Sequence, residues 1–346
     1  MTASTPITAE GFDCSGTGDD GTPFAFAMGG MTVGPMNPGI YPAVAIADLS
    51  ITAGGDGEVS IGSIAVKQID LSGPIAAIQA APAAISPDWF EANGRALIPA
   101  FAGFSIGDVA IDVPDPDSPD TRIVASIGSL DLDLANYVDG IPTTIKTSAS
   151  HLMLELPADS PDEQLQTLMA LGVTAIDAGF TIDASWDQAA SAIAVNEVSV
   201  TGADLATIAL TGTINNATAS LFSSDENMML AAAMGLALGN LKLDIQDAGL
   251  SDLIMTIAAA EQGADAATLR PVFAGLAEGT IVGMLAGTAE AQKIGAAVSA
   301  FVSGKAKGLT LDVTARQQPG LGMLDFMAAE DDPTVLLDKV TIEASN

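Results

Sequence analysis

Phe104-Ser-Ile106-Gly-Asp-Val109-Ala-Ile111 spells two apolar residues in alternation, a two-residue step, then two more in alternation. Residues 26–33, 44–51, 64–71, 125–132, 193–200, 203–210 and 236–243 share that spelling. Side chains on a strand change face at every residue, so a two-residue step would turn the second half inside out. One extra, bulged residue repairs the parity while it bends the strand and raises its twist. Eight bent strands predict a β-rich α+β fold: a strongly curled, bulged antiparallel sheet, trough-like or barrel-like, with several apolar helices packed on or inside it.

The helices announce themselves at their ends. Ser86-Pro87-Asp88 supplies an N-cap, a proline at the first helical position and an acid in the first turn, opening a helix to about Ala100. Ser160-Pro161-Asp162-Glu163 reads as a capping box for a helix ending at Gly172, and Ser223-Ser224-Asp225-Glu226 as another before the apolar run 228–238. Asp247 is placed to cap a helix that runs to Gly263. Residues 64–73 (IAVKQIDLSG) and 193–202 (IAVNEVSVTG) echo one another, which suggests duplication. A divide near 157–160 would separate a strand-rich lobe, 1–159, from a lobe with more helix, 160–346; a single continuous domain is the alternative.

Composition narrows the function. The chain has 346 residues, 49% apolar but only 4% aromatic, so its interior must be built from Ala, Val, Ile, Leu and Met. Lys and Arg number 11 against 43 Asp and Glu, a net charge of −32 that repels nucleic acid and anionic lipid surfaces. Cys14 is the single cysteine, so no internal disulfide is expected. No signal peptide and no transmembrane segment is read: 228–238 is too short to cross a bilayer, and 271–288 carries Glu278 and four glycines. A start that follows a removed export signal would look the same, so the location stays open between cytoplasmic and exported.

Catalytic chemistry finds little footing. His151 is the only histidine and lies in a strand-like segment, and no nucleophile elbow, Walker A or dinucleotide fingerprint is present. No catalytic residue, cofactor or zinc site is assigned. Asp115, Asp117 and Asp120, with Asp19-Asp20 and Asp331-Asp332, are calcium candidates that lack the spacing of a helix–loop–helix site; a solvated acidic loop is the plainer reading. Asn216-Ala217-Thr218 is formally a glycosylation sequon. Gly275, Gly279, Gly283 and Gly287 form a four-residue stripe, continued by Ala291, Gly295, Ser299 and Ser303, that suits close helix packing or self-association; Thr288 can cap a fresh helix and split it.

The stepped strands, the interspersed apolar helices, and the segments 247–252 and 258–263 resemble bacterial envelope proteins of the AsmA-like and YdgA-like kind. That resemblance implies an exported protein of the Gram-negative periplasm or cell exterior with a lipid-accommodating β-groove, although this sequence shows no membrane anchor. Two functions are therefore expected. One is non-catalytic binding or transfer of an apolar ligand such as a lipid, for which a curled sheet and thirteen methionines are suited. The other is a structural or self-assembling envelope or surface protein, a homo-oligomer without a small ligand.

Overall fold

A computed structural model of the chain describes residues 5–346 apart from 20, 55–56, 117, 119–120 and 159–161. Two compact units form, Met1–Thr181 and Ile182–Asn346, and both are β-rich with antiparallel pairing. The boundary falls downstream of the 157–160 segment.

The first unit contains β1 (Ile7–Thr17), β2 (Pro23–Val33), β3 (Ile40–Tyr41), β4 (Val44–Ala53), β5 (Gly57–Val66) and β6 (Ile69–Asp70). Helices α1 (Ser72–Gln79) and α2 (Pro87–Asn93) follow, then β7 (Ala100–Phe101), β8 (Gly103–Pro114), β9 (Arg122–Val138), β10 (Ile141–Glu155) and α3 (Glu163–Ala170). The long strands pair in the order β1-β2-β4-β5-β8-β9-β10, while β3, β6 and β7 make a small separate sheet. A two-residue turn, Asp139-Gly140, both at positive φ, joins β9 to β10.

Strand β11 (Ala175–Asp187) runs across the unit boundary. The second unit continues with β12 (Ala192–Gly202), β13 (Ala206–Asn215), α4 (Glu226–Met234), β14 (Ala237–Asp247), α5 (Leu250–Gln262), α6 (Ala266–Met284) and α7 (Ala289–Val302). It ends with β15 (Gly308–Ala315), β16 (Leu321–Gly322), α8 (Met323–Asp331) and β17 (Val340–Ser345). Its strands pair β12-β13-β14-β15-β17, with β16 alongside β14.

The eight stepped stretches divide into four outcomes. Two are bulged as expected: the register shifts between Val195 and Val198 on β12, and Gly239 is the extra residue on β14 against Thr213 and Ile214 of β13. Four, on β2, β4, β8 and β9, keep an unbroken register through the step, so no residue is inserted there. At 64–71 the chain leaves one sheet for another, because Lys67 and Gln68 separate β5 from β6. At 203–210 the first half is a turn, with Asp204 at φ 57, and β13 itself alternates regularly.

Helix ends also differ in detail. Ser86 Oγ accepts from Trp89 N at 3.3 Å, but the helix gives way to a 3-10 turn at Gly94–Leu97. Asp162 and Asp225 are the N-caps of α3 and α4, each accepting two backbone N–H groups, where Ser160 and Ser223 were expected. A carboxylate offers a stronger acceptor than a hydroxyl and sits one residue before the first turn. The run 228–238 splits at Gly235, and its end from Ala237 is strand. The N-cap position of α5 is Gly249, but Asp247, two residues earlier at the end of β14, supplies the acceptor for the first turn, taking Ser251 N at 2.9 Å, and Gly263 closes that helix at φ 60.

Burial is shallow among the described residues. The buried apolar set is dominated by alanine, including Ala149, Ala206, Ala217, Ala259, Ala274 and Ala291, and no large side chain is fully enclosed. Its larger members are Val109, Met255, Ile294, Leu309, Leu321 and Val340.

Candidate interaction surfaces

The unshifted steps of the first unit share one row. Between the pairs Glu10↔Gly30 and Phe12↔Met28 the register sets Gly11 against Gly29, and the same reading across five further ladders gives Gly11-Gly29-Asp48-Gly62-Asp108-Gly128-His151. Gly11, Asp48, Asp108 and His151 all have left-handed backbone, with φ between 50 and 62. Each of the three non-glycine side chains lies over a glycine on the preceding strand: a Cβ on Gly29 would come 2.9 Å from Asp48 Cβ, on Gly62 2.8 Å from Asp108 Cβ, and on Gly128 3.0 Å from His151 Cβ. Left-handed residues and glycines therefore alternate strand by strand, each requiring the other.

Apolar rows flank this kink on both sides. Ala9-Met31-Ile46-Ile64-Ile106-Leu130-Ala149 lies two residues before it, and Phe12-Met28-Leu49-Ile61-Val109-Ile127-Leu152 one residue after. Outer rows repeat the pattern, from Ile7 through Val33, Val44, Val66 and Phe104, and from Cys14 through Phe26, Ile51, Val59 and Ile111. The rows between carry mainly small or polar residues, with Met153 the large apolar exception. Phe12 and Phe26 meet edge to face at 5.8 Å, so the two rows after the kink share a face. Most of this apolar lattice is half-buried, Val109 and Ala149 are buried, and Ile7, Phe12, Ile51, Val66 and Leu154 are exposed.

The residues singled out in the sequence are scattered. His151 Nδ1 lies 3.0 Å from Asp177 Oδ2, and its side chain is 73% exposed. Cys14 is exposed on β1. Asp115 N–H donates to Thr121 O at 3.0 Å, while Asp117 and Asp120 fall outside the described residues, as does Asp20. Asp332 caps a 3-10 turn through Thr334. No three His, Cys, Asp or Glu side chains among the described residues gather as a metal ion would require. Asn216 of the sequon is at φ 60 and donates to Gly235 O.

In the second unit Asp247 is the buried charge, its side chain 4% exposed. Burial pushes its carboxyl up, yet hydrogen bonds from Ser251 N and Oγ and from Lys307 Nζ at 3.0 Å outweigh that and hold it down to about 2. Arg270 pairs with Asp252 beside it. This network ties α5 and α6 to the end of β14 and the residue that precedes β15. A separate hollow of about 260 Å³ lies against Gln317, Gln318, Asp325, Asp338 and Lys339, and it is polar. Lys339 and the Gly322 N–H hold Asp325 below the usual carboxylate range there.

The glycine stripe does not pack where packing was expected. Among the described residues nothing beyond the helix's own backbone lies within 4 Å of a Cβ built on Gly275, Gly279, Gly283 or Gly287. α6 uses its other face, where Glu278 and Val282 meet Gly295 of α7, and Ala274 is buried. The small residue that matters is therefore Gly295, on the continuation of the stripe. Thr288 does cap a fresh helix, accepting from Ala291 N at 3.1 Å, so the stripe is divided. Sequence spacing marked small residues correctly but carried no information on which face of α6 meets α7.

One surface escaped the sequence reading altogether. α4 exposes Met228, Met229, Leu230 and Met234, and α8 exposes Met323, Leu324, Phe326 and Met327, with Leu324 at 78%. Neither helix has a strong apolar stripe, so periodicity gives no signal. β14 and β16 bring them together: the pair Ala237↔Gly322 lies just after α4 and just before α8.

A family model described as "Uncharacterized protein" matches residues 199–346, less than half of the chain. Neither the curated proteins nor the solved structures include a match. No helix among the described residues is long and apolar enough to cross a membrane.

Proposed function

We propose that this chain is a non-catalytic binding or transfer protein for an apolar ligand, with lipid acyl chains the best fit, working in the bacterial cell envelope. The observation that carries the reading is the lattice of apolar rows on the first unit, seven strands wide, half-buried over most of its area and exposed at Ile7, Phe12, Ile51, Val66 and Leu154. The left-handed row interrupts strand alternation at the three-residue step between the two inner apolar rows. It acts as a crease that turns both pairs of rows to one side of an open trough. An extended chain lying along such a trough would be held by dispersion and burial alone, about 0.8 kcal/mol per methylene covered. The resemblance to AsmA-like and YdgA-like envelope proteins agrees with this reading and with a periplasmic location.

Protein purified from cells, extracted with organic solvent and weighed by native mass spectrometry, tests it. Co-purifying lipid in stoichiometric amount is expected. A structural, self-assembling role is the second reading, favoured by β1, an eleven-residue edge strand exposed at every position. A clean apo mass in a discrete oligomer would replace the first reading with the second.

A further inference from the structure

We propose that the methionine-rich surface of α4 and α8 docks a basic amphipathic helix of a partner protein. Asn215 and Asn216, adjacent at the end of β13, fix the end of α4 and the approach to α8 at the same end of the β14–β16 pair: Asn215 donates to Pro319 O at 2.6 Å in the loop leading to α8, and Asn216 to Gly235 O at the end of α4. Trp186 steadies the base by packing at a tilt against Phe222, with ring centroids 4.6 Å apart, and donating to Ala217 O. Five of the thirteen methionines stand on these two short helices. Flexible thioether side chains re-pack around varied apolar shapes, which suits a surface that accepts a helix.

Charge selects the occupant. No Lys or Arg occurs in residues 223–240 or 317–338; Lys339, next in the chain, is paired with Asp325, so the acidic groups that the two helices and their caps carry beyond that pair include Asp225, Glu226 and Glu330. Asp338 lines the neighbouring polar hollow. Anionic lipid is repelled from such a rim, and so is a second copy of a chain with a net charge of −32. A helix with Leu on one face and Lys or Arg on the other meets both the apolar floor and the acidic border.

The test uses a fluorescent amphipathic peptide of about 18 residues built from Leu and Lys, with a Leu/Glu counterpart, titrated with the full chain. Binding of the Lys peptide and none of the Glu peptide is expected. L324S/M327S and L230S/M234S keep every charge and change only exposed side chains, and each should weaken binding by at least about tenfold. E226K/E330K keeps the apolar floor and should weaken the Lys peptide while admitting the Glu peptide. Undiminished binding by L324S/M327S would reduce the effect to bulk charge and overturn the proposal. So would loss, in the same variants, of self-association on sedimentation or of binding to phosphatidylcholine vesicles, which would assign the surface to a second copy or to a membrane.

Discussion

In the first unit, side-chain parity is reset by a row of left-handed residues and glycines that crosses seven strands without shifting their register. In the second unit it is reset by single inserted residues, at Asn196-Glu197 on β12 and Gly239 on β14, while β13 between them alternates normally. A bulge is a local device, adjustable on one strand alone. A shared row is collective, because every strand must step at the same level or its neighbours lose register. The first unit is thus the less tolerant of insertion, deletion or bulk at its step, and the more able to present one continuous apolar face.

Single-residue deletions should separate the two devices most widely. Removing Asp108 leaves β8 one residue short against both β5 and β9, and should cost at least about 3 kcal/mol or prevent folding. Removing Asn196 merely straightens β12, since Ile193, Val195, Val198 and Val200 then alternate against Ile214, Gly212, Leu210 and Ile208; its cost should stay below about 1 kcal/mol. Urea unfolding resolves the units, because Trp89 lies in the first and Trp186 in the second. W186F and W89F backgrounds leave one reporter each.

Bulk at the step comes next. Gly62 is overlain by Asp108, so Gly62→Val should destabilise the first unit by about 2–3 kcal/mol. Thr211→Val, at the position opposite the β12 bulge, should change the second by less than about 0.5 kcal/mol. Equal costs at the two sites would break the comparison.

Acid should act on the second unit through Asp247. Its folded value near 2 lies below the usual 3.8, so the stabilisation is complete above about pH 4 and is lost as pH falls through 2. The contribution is about 2 kcal/mol, and Asp247→Asn should lower stability at neutral pH by that order and flatten the acid limb of the Trp186 signal. The smallest effect is backbone relief. Asp108→Gly should be neutral or stabilising by up to about 1 kcal/mol, because glycine takes positive φ freely, whereas Asn196→Gly should cost a few tenths.

The stepped spelling made the strands legible, and Asp247 and Thr288 could be read as caps because short acceptors before an apolar run have one good use. The means of stepping was not legible. A bulge and a left-handed kink leave the same apolar spacing in one strand, and only the neighbours' register tells them apart. Gly-Asp in β8 and Ala-Asp in β4 hinted at positive φ, since Asp tolerates that region, but His151 gave no such hint. Repeats 64–73 and 193–202 show the limit of local reading. The first is pulled out of its sheet where Lys67 N donates to Gly103 O and its ammonium reaches Asp133, and the second stays in place with a bulge. The α4–α8 surface was invisible because its two halves lie about ninety residues apart and are brought to one end of the sheet by the β14–β16 pair and the two asparagines of the β13 end.

Cysteine placed singly at Ile46, Ile51, Ala45 or Ser50 in a Cys14→Ser background, labelled with a fluorophore and challenged with a brominated fatty acid, tests the crease and its cargo together. Quenching at both Ile46 and Ile51, with Ala45 and Ser50 untouched, is the predicted result. Quenching that pairs Ile46 with Ser50 and spares Ile51 would mean that the strand alternates straight through Asp48, and the common apolar face would not exist.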